Sequence, residues 1–134
     1  MTPPVPAGIS IHVVDVSRGV VAEGMRVEVH AASGAGSSAG AAASRESRKL
    51  LCSGNINAKG VLDDAVLMSD AMQAGYYEAV FHAADYYRAA GVALPALPFI
   101  DVVTYRFAIA DTRQHYHLPM KLTPWGFSCF RGGA

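Results

Sequence analysis

Two segments near opposite ends of the 134-residue chain follow a period of two between apolar and polar side chains, which no helix face accommodates. In Ile9-Ser10-Ile11-His12-Val13-Val14-Asp15-Val16, residues Ile9, Ile11 and Val13 share one face while Ser10, His12 and Val14 share the other. In Gln114-His115-Tyr116-His117-Leu118-Pro119-Met120-Lys121-Leu122, the apolar row is Tyr116, Leu118, Met120 and Leu122, and His115, His117, Pro119 and Lys121 line the opposite side. Each segment is therefore expected to be a strand with one buried face. Pro119, which has no donor for a ladder, predicts a place near a sheet edge or bulge. Met25-Arg26-Val27-Glu28-Val29-His30 repeats the alternation, residues 49–53 and 76–81 read as strands, and Val103, Tyr105, Phe107 and Ile109 line one face of another. The period changes once, where residues 83–90 are good helix formers followed by Gly91, which predicts one short helix. Ser17-Arg18-Gly19, residues 55–60, Asp63-Asp64 and Asp111-Thr112-Arg113 read as turns or connections, and Asp101 as a turn or cap residue. About seven short strands and one brief helix predict an all-β fold, an antiparallel two-sheet β-sandwich.

The length suits one domain, and 51% hydrophobic against 16% charged residues supply enough apolar surface for a core without staples. Pro3, Pro4 and Pro6 predict a flexible arm over residues 1–7, with the folded domain spanning 8–134. Residues 33–47 are almost entirely Ala, Gly and Ser, side chains too small to offset backbone ordering, and predict a loop within that domain. Zero formal net charge leaves no electrostatic footprint for nucleic acid. No apolar run approaches the roughly 18 residues that cross a bilayer, and MTPPVPAGIS lacks the order of a signal peptide, so a cytoplasmic protein without a membrane partner is expected. Cys52 and Cys129, alone and without CxxC spacing, are expected to be reduced.

Of the five histidines, His12, His115 and His117 are the ones that alternation turns away from the core. Imidazole moves protons near neutral pH, so two of them converging on one site would suit activation of water and protonation of a leaving nitrogen. Solvated or hydrogen-bonded surface histidines are the alternative. The His115-x-His117 spacing also suits zinc, but no further ligand has an identifiable spacing, and no metal is expected. Arg18 and Arg131 are candidate guanidiniums for a carbonyl-rich or anionic substrate, with surface solubility as the alternative. Cys129 reads as a small half-buried hydrophobe, since nothing beside it would activate a thiolate. Phosphate loops, dinucleotide fingerprints and GxSxG elbows are absent.

Three stretches together are more specific than these patterns. Ile9-Ser10-Ile11-His12-Val13-Val14-Asp15-Val16-Ser17-Arg18-Gly19, then Ala22-Glu23-Gly24-Met25-Arg26-Val27, and finally His115-Tyr116-His117-Leu118-Pro119 through Thr123-Pro124-Trp125-Gly126-Phe127-Ser128-Cys129-Phe130-Arg131-Gly132-Gly133, resemble the transthyretin-like 5-hydroxyisourate hydrolases. The similarity extends over residues 8–133, except for a longer loop at 33–47. It implies a transthyretin-like (prealbumin-like) sandwich, a homotetramer with sites in a channel between dimers, no cofactor, and hydrolytic opening of the six-membered ring of 5-hydroxyisourate, the product of urate oxidation. The family's catalytic positions fall on His12 and His117, and its substrate-binding positions on Val61, Phe130, Arg131, Gly133 and His115. Three of these depart from the family pattern. Val61 follows Asn57-Ala58-Lys59-Gly60 where the family has a substrate-contacting arginine, and Phe130-Arg131-Gly132-Gly133 stands for Tyr-Arg-Gly-Ser. An apolar branch at 61 implies a substrate shifted towards an N-methylated or otherwise altered cyclic ureide. The alternatives are a transthyretin-like small-ligand binding protein, a paralogue acting on another heterocycle, or an inactive structural partner.

Overall fold

The alternating segments all form strands. The computed structural model describes residues 7–32, 48–63 and 72–133, so the expected loop at 33–47, residues 1–6 of the expected arm and Asp64 lie outside the described residues. Among the described residues, in chain order, come β1 (Gly8–Asp15), β2 (Val20–Val21), β3 (Arg26–Ala32), β4 (Lys49–Asn55), β5 (Gly75–Phe81), helix α1 (Ala83–Ala89), β6 (Val103–Ile109), β7 (His115–Thr123) and β8 (Gly126–Cys129). They build two four-stranded sheets, ordered β2-β1-β7-β8 and β4-β3-β5-β6. No helix among the described residues is long and apolar enough to cross a membrane.

The two sheets are antiparallel except for one pair: β1 and β7 run parallel, in a register that sets Ser10 beside His117 and His12 beside Pro119. β7 lies between β1 and the edge strand β8, near the sheet edge as Pro119 predicts. Pro119 is tolerated there because β8 pairing ends at Cys129, opposite Met120, one position before a Pro119 donor would be needed. The chain past β8 nevertheless stays alongside, since the Gly132 N–H donates to the His117 carbonyl at 2.7 Å.

Between the sheets, Ile9, Ile11, Val13, Leu118, Met120 and Leu122 face Val27, Val29, Ala79 and Phe81, all of them buried. Burying each large member contributes about 1.5–3 kcal/mol relative to exposure. The last inward position of β1 is a carboxylate, Asp15, which is fully buried. It accepts hydrogen bonds from Ser17 Oγ at 2.6 Å and from the Tyr86 and Tyr87 hydroxyls at 2.9 Å each. These bonds satisfy a charge that would otherwise be costly to bury, and they tie α1 to the end of β1. The helix stops in a Schellman motif, with Gly91 N–H donating to the Arg88 carbonyl and Val92 N–H to that of Tyr87. On the outer face of the second sheet, Glu28 accepts from His82 Nε2 at 2.6 Å and from His30 Nε2 at 3.0 Å. The His82 bond holds the Glu28 carboxyl below its ordinary range against the opposing effect of burial, with His30 adding to the same direction.

Candidate active site

Because Ile9, Ile11 and Val13 take the core face of β1, Ser10 and His12 face outward, and the same alternation turns His115 and His117 outward on β7. The parallel register then brings Ser10 between the two imidazoles of the neighbouring strand. Its Oγ lies 2.7 Å from His115 Nε2 and 2.7 Å from His117 Nδ1. With Nδ1 so engaged, the Nε2 edge of His117 is the one left for chemistry. Burial lowers the His117 pKa below the ordinary imidazole value, and the charges of His115 and His12 push it the same way, which also marks the three rings as electrostatic neighbours.

His12 is bounded by the turn after β4. Asn57 Oδ1 accepts from the Lys59 and Val61 N–H groups at 2.9 and 3.1 Å, an Asx-type closure that fixes the backbone without using other elements. This turn is stitched to β1 by Val13 N–H to the Gly60 carbonyl at 2.8 Å and Leu62 N–H to that of Ile11 at 3.1 Å. His12 and Val61 are thereby directly opposed, in the kind of pair whose side chains approach closely. The Lys59 carbonyl can only accept, so the 3.2 Å contact is a bond donated by His12 Nε2–H, which fixes the hydrogen on that nitrogen. Position 60 must be glycine: its φ is +85°, and a Cβ there would stand 2.7 Å from His12 Nε2 and 2.8 Å from Val21 Cγ1.

The tail after β8 forms the other border. Phe130 is exposed, and Gly132 lies so close that a Cβ on it would meet His117 Cδ2 at 2.8 Å. Gly133 has open space around it. Arg131 does not join the histidines. Its guanidinium lies over the Tyr116 ring, 4.0 Å from the centroid, and donates to Gln114 Oε1 at 2.9 Å and to the His115 carbonyl at 3.3 Å. Arg18 is further removed, bound to the Tyr86 hydroxyl and paired with Asp15, so its work is at the β1–α1 junction. Cys129 packs against the core and its thiol is pushed up to about 11 by burial, which leaves essentially no thiolate at neutral pH. Asp101 is a connection residue whose carbonyl accepts from Ala84 N–H at 2.9 Å. Among the described residues no cluster of His, Cys, Asp and Glu could hold a metal ion.

Alternation alone does not single out Ser10, the Lys59 carbonyl, Gly60 or Gly132 as parts of this site. The outward parity of Ser10 was visible, but its partner strand was not. A cavity of about 560 Å³ lies elsewhere, between β2 and α1, lined by Arg18, Glu23, Arg26, Asp85 and Tyr86 among others. The histidines instead occupy an open sheet face, bordered by Val61 on one side and by Gly132 on the other.

The comparisons with known proteins agree with this fold. The sequence profile described as the HIUase/Transthyretin family matches residues 9–132. A protein named 5-hydroxyisourate hydrolase 2, from Rhizobium meliloti (strain 1021), is 36% identical over 124 residues, covering 92% of this chain and 94% of its own length. Among solved structures, Klebsiella pneumoniae 5-hydroxyisourate hydrolase superposes with a TM-score of 0.70 at 25% identity, covering 95% of this chain and 99% of that one. An (S)-allantoin synthase superposes with a TM-score of 0.80 at 29% identity over 99% of this chain, which spans 46% of that longer one.

Proposed function

This chain belongs to the HIUase/Transthyretin family, and on that premise we propose that it is a hydrolase that opens the ring of 5-hydroxyisourate or a close, N-methylated analogue. The observation that carries the reading is the sharing of one sheet face by His12 and His117, each with its hydrogen-bonding fixed by a neighbour. Relatives named as 5-hydroxyisourate hydrolases over nearly the whole length of the chain support the reaction class.

Hydrolysis of a cyclic amide needs a base to take a proton from water, a route for charge on the carbonyl oxygen, and an acid for the leaving nitrogen. His117, kept neutral by burial and by its imidazole neighbours, suits the base. Its Nε2 takes the proton as the water oxygen bonds to the ring carbonyl carbon. His12, entering the step with both ring nitrogens protonated, supplies its Nδ1 proton to the leaving nitrogen as the C–N bond breaks and is left neutral, its Nε2–H still on the Lys59 carbonyl. Val61, opposite His12, gives the site an apolar wall, which favours a methylated edge over an anionic one. The same family premise carries a homotetramer with sites between dimers. Exposed Val16, Val20, Phe127 and Phe130 on this sheet and its borders support an assembled rather than a bare face.

The test is the ultraviolet decay of 5-hydroxyisourate made in situ by oxidising urate, and of methylated analogues made likewise, with and without the protein. Accelerated decay is expected, and His12→Ala or His117→Ala should each lower kcat by about a hundredfold or more. Full activity in both variants rules out the histidine mechanism, and no acceleration with any of these ureides overturns the reading.

A further inference from the structure

We propose that the Ser10 hydroxyl is a proton relay joining His117 to His115, so that Ser10 and His115 set the base strength of His117 without touching the substrate. This rests on the hydrolytic reading above for its catalytic consequence, but its geometry stands apart from that reading. Ser10 Oγ is 2.7 Å from His117 Nδ1 and 2.7 Å from His115 Nε2. A hydroxyl has one hydrogen and two acceptor lone pairs, so Ser10 donates at most one of these two bonds. The two rings therefore cannot choose tautomers independently: when His117 Nδ1 is bare, the facing nitrogen of His115 carries a hydrogen.

The arrangement that serves a base is His117 Nδ1–H donating to Ser10 Oγ and Ser10 O–H donating to His115 Nε2, with His117 Nε2 bare towards the site. When Nε2 takes a proton from water, the Nδ1 proton passes to Ser10 Oγ and the Ser10 proton passes to His115 Nε2. One proton enters the chain and one reaches its far end, every O–H and N–H bond broken is replaced, and His117 is left neutral with its tautomer exchanged. The positive charge rests on His115 instead of on the half-buried ring beside the reacting carbon. His117 resists charge through burial and through His115 and His12, so a route that moves the charge away keeps it effective as a base. The other ionisable groups around the relay are Lys59 on the turn, Lys121 further along the outward row of β7, and Arg131, whose guanidinium is turned onto Tyr116. A sheet supplies this geometry simply. Histidines two apart on one strand are spanned by a residue of the parallel neighbour, and the register sets Ser10 beside His117 and Gly8 beside His115.

The deciding experiment reads the imidazole nitrogens of the full chain by long-range ¹H–¹⁵N correlation across a pH titration, for wild type, Ser10→Ala, Ser10→Thr and His115→Gln. In wild type, His117 should be an Nδ1–H tautomer whose protonation is coupled to that of His115. Ser10→Ala should uncouple the two titrations and Ser10→Thr should keep them coupled. With an active protein, Ser10→Ala should lower kcat about tenfold with little change in KM and turn a curved solvent-deuterium proton inventory linear, as should His115→Gln, while Ser10→Thr restores the wild-type behaviour. Independent titrations in wild type, or an Ala variant with unchanged tautomers, would overturn the relay. A protein with coupled tautomers and no turnover would refute the hydrolytic reading and leave the relay standing. Ser10→Thr and His115→Gln keep the question decidable if Ser10→Ala does not fold.

Discussion

Gly132→Ala should damage catalysis far more than folding, and the structure gives the size of the effect. The added Cβ would stand 2.8 Å from His117 Cδ2 and 3.1 and 3.3 Å from the Pro119 ring carbons. Carbon atoms settle at about 3.5–4.0 Å, so something must withdraw by roughly 0.7–1 Å. Pro119 sits in the middle of a paired strand and cannot move alone. The tail is held by the Gly132 N–H bond to the His117 carbonyl at 2.7 Å, and pulling it back breaks that bond. The imidazole is the softest of the three. Rotating it away stretches its 2.7 Å contact with Ser10 beyond hydrogen-bond reach and displaces Nε2 from the reacting carbon. A misplacement of about 1 Å can cost on the order of a hundredfold in rate, whereas overpacking by one methyl costs only roughly 1–3 kcal/mol of stability. The assay is the in situ 5-hydroxyisourate decay, run beside a thermal melt. Gly126→Ala, whose Cβ would meet nothing within 4 Å, serves as the control and should match wild type. A folded Gly132→Ala protein within twofold of wild-type kcat would refute the idea that the tail glycine sets the His117 ring.

Val61→Arg would project a guanidinium beside His12, and one charged hydrogen bond to an anionic substrate edge is worth about 1.5–3 kcal/mol, so turnover of 5-hydroxyisourate should rise by roughly ten- to a hundredfold. A fall instead would mean that the pocket is built around valine. Since the His117 pKa is lowered, its base form persists to more acidic pH than an ordinary imidazole of about 6.5, and the acid limb of kcat/KM should fall below that value. An acid limb above it, measured from urate-derived substrate across a buffer series, contradicts His117 as the base. The depressed carboxyl of Glu28 contributes stability that is present above its unfolded value and lost as pH falls through the folded one. Glu28→Gln should therefore flatten the acid side of a plot of Tm against pH between about 5 and 3, and an unchanged slope would show that the two histidines do not act through Glu28.

Parity made the strands and the outward histidines legible, because a period of two assigns each side chain to a face without knowledge of the neighbouring strand. It also placed the short helix, whose formers and closing Gly91 are local signals. Pairing is not local. Nothing in either segment announces that β1 and β7, about a hundred residues apart, lie side by side and parallel. For that reason the outward parity of Ser10 carries no sign of its contact with the two histidines of β7. The family motif gives Arg131 a substrate-binding place, but the tail past β8 lays its guanidinium over the Tyr116 ring, a long-range contact with no local signal. Asp15 went unnoticed as well: the tyrosines that satisfy it come from a helix that the sequence could place but not dock.

The register of β1 against β7 is set by burial, and the chemistry inherits it. Slipping β7 by one residue would turn Leu118, Met120 and Leu122 to solvent and the histidines into the core, an exchange of several side chains each worth about 1.5–3 kcal/mol. Any variant that folds therefore keeps Ser10 between His115 and His117 and keeps His12 on the same face. The borders carry no such constraint. The 57–61 turn closes on its own Asn57, and the tail past Cys129 is held to β7 by the Gly132 bond, so side chains there can change without disturbing the core. Those borders hold Val61, Phe130 and Gly133, the three positions that the resemblance marks as departures, while the histidines stand on the outward rows of the strands. Under the proposed mechanism, substitutions placed in this way should change what the site accepts and leave how it moves protons untouched. It follows that exchanging Val61, Phe130 and Gly133 together for Arg, Tyr and Ser should alter the preference among ureides while leaving the pH dependence of kcat where His117 sets it.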